Sequence, residues 1–409
     1  MSVLSRVSAP RAGHELADYV AALLAAPPSG PTSAPGGTRP GRTRLPGPTG
    51  LGTAAARIRP DREPSTATLT PPAPTPTPTP TAGHTTNGRR DRQGAPALYC
   101  PPALRDDPVL AEAVNERLIA WADEVGIYPG RLESVRAANF GRLVMLTHPE
   151  SDDPDRLLAA AKCALAEWAS DDHYCDDESA GADPALLGAR LGVATAVVDP
   201  AQLPREYTPQ FEQAVGADPV LKALRSALDH LGRYADPTQV NRLRHEISQL
   251  FGGYLAEGSW RTSGHRPPVW EYLAARQINS FLPCMTLVDV VGGYELPPAE
   301  YADPAVRRAV KLAATAATLV NDLYSMARED AGPSVGYNLP ALIAAEENCS
   351  LQAAVEKAAR IHDELVHTFE AEAAALALTG SPALRRYLAG IWAWLGGNRE
   401  WHRSTERYQ

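Results

Sequence analysis

The stretch Asp171-Asp172-His173-Tyr174-Cys175-Asp176-Asp177-Glu178 puts five carboxylates into eight residues. It closes an apolar run with helical spacing, Leu157 to Trp168. Charged side chains are almost never buried unless they are paired or bound to metal. Carboxylates gathered at the end of a buried helix therefore call for hard divalent cations, which prefer oxygen ligands. His173 is a poor ligand for such a cation, because Mg²⁺ disfavours imidazole.

A second constellation matches the first. In Leu319-Val320-Asn321-Asp322-Leu323-Tyr324-Ser325-Met326-Ala327-Arg328-Glu329, residues Asn321, Ser325 and Glu329 are spaced i, i+4, i+8. On a helix they share one face. An amide oxygen, a hydroxyl and a carboxylate pointing one way form an oxygen-rich wall for Mg²⁺, which keeps some waters and shares a phosphate. Either pattern alone also describes a solvated helix face. Two such patterns, each after an apolar run (Leu312 to Val320 for the second), describe a metal site.

Composition narrows the class. Of 39 Lys/Arg and 48 Asp/Glu in the 409 residues, only 11 and 5 fall in residues 1–95, leaving 28 basic and 43 acidic residues in the body. A body that acidic repels nucleic-acid phosphates, so no nucleic acid is expected as a partner. An anionic ligand would need cations as intermediaries. The five cysteines are odd in number and contain no Cys-x-x-Cys pair, which argues against a disulfide framework or a zinc site. No secretory leader and no apolar run of about 18 residues is present, so no membrane span is expected. The protein is expected to be soluble, reduced and cytoplasmic.

Two regions follow. Residues 1–95 are rich in Pro, Thr, Gly and Ser, with a short helical pattern over 14–25 and a polyproline centre at Pro71-Pro72-Ala73-Pro74-Thr75-Pro76-Thr77-Pro78-Thr79-Pro80. They have little to bury and are expected to be disordered. A docking tail and a solvated extension without catalytic role both fit. Residues 96–409 carry Ala/Leu-rich segments with helical spacing at 108–126, 134–147, 154–178, 183–198, 209–231, 237–260, 267–291, 303–330, 335–345, 350–379 and 381–407. Pro154, Pro184, Pro200, Pro237 and Pro304 mark breaks. The expected fold is all-α, with helices long enough to enclose a central cavity.

An aspartate-rich motif followed 150 residues later by Asn-Asp-x-x-Ser-x-x-x-Glu resembles the bacterial class I terpene synthases. The resemblance covers residues 96–409 and implies that family's helical bundle. It implies a diphosphate-sensing role for Arg276, a linker role for Asn279 and an effector role for Ser280. It implies diphosphate contacts from Arg328 and from the terminal pair Arg407-Tyr408. The implied metal ligands are Asp171, Asp172, Asp176, Asn321, Ser325 and Glu329, holding Mg²⁺, three ions per site. The spacing departs from Asp-Asp-x-x-Asp/Glu, since Cys175 stands where the acid belongs. Asp171 is the firmest ligand, and Asp172 is better placed as a support.

Narrower features resemble those family members that cyclise the eleven-carbon 2-methylgeranyl diphosphate and quench the cation with water. These are Tyr99-Cys100-Pro101-Pro102, the Asp-Asp-x-Tyr-Cys-Asp-Asp form, the run Arg276 to Cys284, Gly293-Tyr294-Glu295-Leu296-Pro297, and a Pro-rich tail. A homodimer is expected by the same likeness. The carbocation needs aromatic walls, each worth roughly 0.5–2 kcal/mol. Phe140, Trp168, Phe281 and Trp392 are candidates. Trp168, one turn below Asp171, and Phe281, next to Ser280, are preferred. Tyr174 and Cys175 are expected near the mouth, with structural roles.

Rivals are weaker. A prenyl-chain elongase would carry a second Asp-Asp-x-x-Asp where Asn321-Asp322 and Ser325 stand. A calcium loop would need acids at alternate positions and a glycine at the sixth. A helical scaffold with a Pro-rich docking tail leaves both motifs unexplained. A synthase ending in proton loss, to 2-methylenebornane or a sesquiterpene, differs only in pocket shape, at about 1–3 kcal/mol.

Overall fold

A computed structural model describes residues 97–176, 182–329 and 337–405. The Pro-rich segment over 1–95, the helix at 14–25, Asp177, Glu178, Arg407 and Tyr408 lie outside the described residues. For Asp176, Arg328 and Glu329 only the backbone is described.

Among the described residues the protein is all-α, as expected, with no strand. The helices are α1 (Pro108–Val125), α2 (Leu132–Ala138), α3 (Phe140–Thr147), α4 (Pro154–Asp171), a π turn (Asp172–Asp176), α5 (Leu187–Val198), α6 (Thr208–Ala217), α7 (Pro219–Leu231) and α8 (Pro237–Ser263). There follow α9 (Val269–Arg276), α10 (Leu282–Met285), α11 (Val288–Val291), α12 (Pro298–Tyr301), α13 (Pro304–Glu329), α14 (Leu339–Glu346), α15 (Leu351–Thr379) and α16 (Pro382–Ser404). None of them is long and apolar enough to cross a membrane.

The helix starts obey a local rule. Asp107, Asp153, Asp218, Asp236 and Asp303 each precede a proline at the first helical position. Proline loses nothing there, because that N–H has no helical partner, and the aspartate accepts from an amide that would otherwise be orphaned. The Asp218 carboxylate accepts from Val220 N at 2.8 Å, and Asp236 adds a reciprocal bond with Gln239. Each cap is worth about 1 kcal/mol. Pro184 and Pro200 lie in turns instead.

Several expected segments are divided. Residues 134–147 break at Asn139, which sits in the left-handed region at φ 53°. Asparagine tolerates that region, and its side chain caps α3 through Arg142 N at 3.0 Å. Residues 209–231 break at the Asp218 cap, and 267–291 becomes three short helices.

The core is one large cluster spanning α1, α3, α4, α7, α8, α13 and α16, built mostly from Ala, Leu, Val and aromatic residues. Helix α13 packs on α15 and α16, α1 packs on α3 and α4, and α16 packs on α3. Ala309, Ala313, Ala314, Ala316 and Ala317 are wholly buried along α13, and their small side chains let its neighbours approach closely. A second cluster, around Trp260, Tyr272, Leu319, Leu323 and Leu339, sits where α8, α9, α13 and α14 meet.

Candidate active site

Helices α4 and α13 carry the two motifs, and the aromatic floor joins them. Trp168 of α4 lies 5.4 Å from Phe281, centroid to centroid. Phe281 in turn donates its main-chain N–H to Thr318 Oγ1 of α13 at 3.2 Å. Thr318 is one turn before Asn321, on the same face. Around this link stand Phe140, 5.1 Å from Trp168, Trp394, 5.3 Å from Phe281, and Trp401, 6.3 Å from Trp168. Trp392 does not join them; it stacks on Phe369 at 6.3 Å. Two residues along a helix turn a side chain by more than half a circle, so Trp392 and Trp394 cannot share a face.

The aspartate-rich stretch does not continue as an α-helix. It winds as a π turn from Asp172 to Asp176. A π turn closes i→i+5 hydrogen bonds and so takes up one extra residue. Position 176 thereby comes round toward the face of position 171, which in an α-helix would be reached by position 175. The late acid of the motif is matched by the late closure of its turn. The end of the turn is held from α8: Arg261 donates to the Cys175 carbonyl at 2.6 Å and pairs with Glu257 at 2.5 Å.

Asp172 is nearly buried and accepts from the Tyr128 hydroxyl at 2.7 Å. Tyr128 reaches it from a left-handed backbone, φ 54°. For a bulky residue that conformation costs about 1–2 kcal/mol, so the surrounding structure enforces it. Tyr174 is buried away from the motif, donating to Asp218 at 2.8 Å, which makes it structural.

On α13, Asn321 Nδ2 and His402 Nε2 are 3.4 Å apart. His402 Nδ1 lies 2.9 Å from the Asn398 carbonyl, which can only accept. The ring proton therefore sits on Nδ1, and Nε2 accepts from the Asn321 amide. This turns the side-chain oxygen of Asn321 to the side away from His402. Ser325 is buried one turn on. Asp171, Asn321 and Ser325 are all oxygen donors, the set that suits Mg²⁺ rather than zinc or copper.

The break between α9 and α10 shows why Arg276 stands where it does. In a continuous helix the Asn279 carbonyl would accept from residue 283, but Pro283 has no N–H. Arg276 Nη1 takes its place at 3.2 Å. The rest of the guanidinium turns to Asp322, with Nη2 2.6 Å and Nε 3.2 Å from Oδ1. Burial alone would depress the Arg276 guanidinium, but the Asp322 carboxylate outweighs it and holds the charge firmly on. Ser280 Oγ donates to the Gln277 carbonyl at 3.2 Å and accepts from Leu282 N at 3.3 Å, closing the break. Asn279 Nδ2 donates to Glu257 at 3.3 Å. Gly253 of α8 is where this segment seats: a Cβ there would stand 2.6 Å from Asn279 Cβ.

Arg276, Asn279, Ser280 and Phe281 are thus one assembly, with Trp168 against it. Asp322, which the Asn-Asp motif contains without showing its role, belongs to it as well, as do Tyr128, His402, Trp394 and Trp401, which no motif in the sequence marks. A helical bundle with paired oxygen-donor motifs at one end, an arginine braced beside them and an aromatic floor below is the architecture of a class I terpene synthase. Residues 162–368, about half of the chain, match the family model described as terpene synthase family 2, C-terminal metal binding. The chain belongs to the terpene synthase family and is an enzyme, a carbon–oxygen lyase acting on prenyl diphosphates.

Its similarities are more particular than the family. It is 41% identical to the 2-methylisoborneol synthase of Streptomyces griseus, over 98% of this chain and 90% of that one. It is 43% identical to the 2-methylisoborneol synthase of Streptomyces coelicolor, over 77% of this chain and 72% of the other. The crystal structure of the latter enzyme with Mg²⁺ and 2-fluoroneryl diphosphate superposes with a TM-score of 0.74, at 42% identity, covering 79% of this chain and 98% of that one.

Proposed function

We propose that the enzyme converts 2-methylgeranyl diphosphate and water to 2-methylisoborneol and diphosphate. The observation that carries this is the kinship to 2-methylisoborneol synthases along nearly the whole chain. The oxygen donors, the braced arginine and the aromatic floor support it.

Asp171, Asp176, Asn321, Ser325 and Glu329, with Asp172 behind them, would hold three Mg²⁺ ions, which would supply positive charge to the leaving diphosphate. Arg276, Arg328, Arg407 and Tyr408 donate hydrogen bonds to the leaving group, and arginine's planar fork suits its oxygens. Such donors accelerate ionisation because they are aimed in advance at the charge that develops. The trans allylic cation cannot reach its distal alkene, so recapture by diphosphate and rotation about a single bond come first. The cis geometry of the neryl analogue bound by the Streptomyces coelicolor enzyme fits that step. Trp168, Phe281 and Phe140 then face the cation with their π-clouds and keep bulk water from it. Closure gives a terpinyl-type and then a bornyl-type cation, which water captures.

Gas chromatography–mass spectrometry of an incubation with Mg²⁺ and 2-methylgeranyl diphosphate tests this. The expected product is 2-methylisoborneol. Turnover of farnesyl diphosphate alone would overturn the substrate, and 2-methylenebornane alone would overturn the quench. A homodimer is proposed on the same kinship; light scattering after gel filtration should give twice the chain mass.

A further inference from the structure

Glu167 has no part in the site as described so far, and nothing in the fold requires it. It lies in α4 one turn before Asp171, on the same face, next to Trp168. Its side chain is 3% exposed. Oε2 accepts from the Cys284 thiol at 3.5 Å, and Oε1 has no hydrogen-bond partner among the described residues. No cation among those residues pairs with it. Cys163 lies one turn earlier in α4. Tyr254 of α8 donates its hydroxyl to the Glu167 main-chain carbonyl at 3.4 Å. Burial pushes the carboxyl up to about 8, so it is protonated at neutral pH.

Such a group is costly. A buried polar atom without a partner loses its hydration for nothing, and an apolar side chain of the same shape would be at least as stable. Glu167 caps no helix and closes no turn. What it offers is one oxygen acceptor within a wall of Cys163, Trp168 and Cys284, a turn below the metal donors.

We propose that Glu167 Oε1 holds the water molecule that captures the final cation, and so directs the reaction to alcohol rather than alkene. This rests on the function proposed above and names the residue that sets its outcome. A buried water needs two or more polar partners, and the Tyr254 hydroxyl, which reaches the main-chain carbonyl of the same residue, is the nearest further polar side chain that the structure records there besides the Cys284 thiol. In the capture, a lone pair of the water oxygen forms the C–O bond to the tertiary cation. One water O–H bond breaks, and its proton passes to the diphosphate released in the first step. A neutral acid suits this role, because it orients water by accepting a hydrogen bond, while a carboxylate would compete for the cation or its proton.

The test uses the full chain with Mg²⁺ and 2-methylgeranyl diphosphate. Diphosphate release measures total turnover, and gas chromatography–mass spectrometry measures the alcohol-to-alkene ratio. Glu167→Leu and Glu167→Met, two apolar replacements of similar size, should lower the ratio about tenfold or more, the worth of one lost hydrogen bond to a reacting group. Glu167→Gln keeps an acceptor oxygen and should keep the alcohol. An unchanged ratio in the apolar variants overturns the proposal, even if turnover falls, because a merely structural residue would change amount and not product. Loss of the alcohol in Glu167→Gln also overturns it. A wild-type extract without alcohol would instead refute the substrate or quench assigned above.

Discussion

Arg276 and the buried Asp322 form a pair in which every oxygen of the aspartate is taken. Oδ1 accepts from Arg276 twice, and Oδ2 accepts from the Tyr272 hydroxyl at 2.7 Å and from Leu339 N at 3.1 Å. Asp322 therefore aims and charges the arginine instead of binding metal. Asp322→Ala should lose about 3 kcal/mol of stability, the low end for breaking a buried pair, because the guanidinium left without its counter-charge is partly exposed. Denaturant unfolding checks this. The double variant with Arg276→Ala should recover part of the loss, and strict additivity would deny the coupling.

Asn321→Ala, Ser325→Ala and Glu329→Ala should each reduce turnover on the order of 100-fold or more, the scale of several kcal/mol of charge stabilisation. Far-ultraviolet circular dichroism should be unchanged. Near-normal turnover in these variants would remove the metal role from α13.

Tyr128→Phe removes the hydroxyl from Asp172 and leaves the ring in place. Stability should drop by about 1 kcal/mol. The Mg²⁺ concentration for half-maximal activity should rise, with kcat at saturating Mg²⁺ much less affected. An unaltered Mg²⁺ titration would make Tyr128 a packing residue only.

Glu167 also predicts a pH effect on stability. Its folded value, about 8, lies above the ordinary 4.5, so the folded state holds a proton that the unfolded chain has lost. Its contribution to stability therefore declines as pH rises from the unfolded value through the folded one. Glu167→Gln lacks that decline. The variant's Tm should exceed the wild type's by more at pH 8 than at pH 5; equal differences would contradict it.

Removing residues 1–94 should leave turnover intact. Every described side chain of the site falls after residue 97, and a large loss in a steady-state assay would give the tail a catalytic part.

Much of this molecule was legible where the signal is local. The Asp-Pro pairs announce helix starts because cap and proline act within one turn. Asn321 and Ser325 share a face through helical periodicity alone. What was hidden depends on contacts between distant segments. The break after Arg276 is set by Pro283, by Arg276 itself and by Gly253, which lies in another helix. Asp322 reads as a companion of Asn321 until the fold brings Arg276 to it. Trp392 and Trp394 could not be told apart because α16 is buried on nearly all sides, so no polar face indicates which way each points. Glu167 carries only a faint signal: it is a lone acid inside an apolar run, close before a cluster of five.

The π turn has a consequence for how such a site changes over time. A turn with one residue to spare is what a single-codon insertion into a helix produces, absorbed locally instead of rotating everything downstream. The inverse edit is then open as well. Deleting one residue between Asp172 and Asp176 would let the turn relax to an ordinary α-helix with the four-residue spacing restored. The π turn thus lets the irregular spacing be absorbed locally, and spacing alone is a poor guide to which acids can meet.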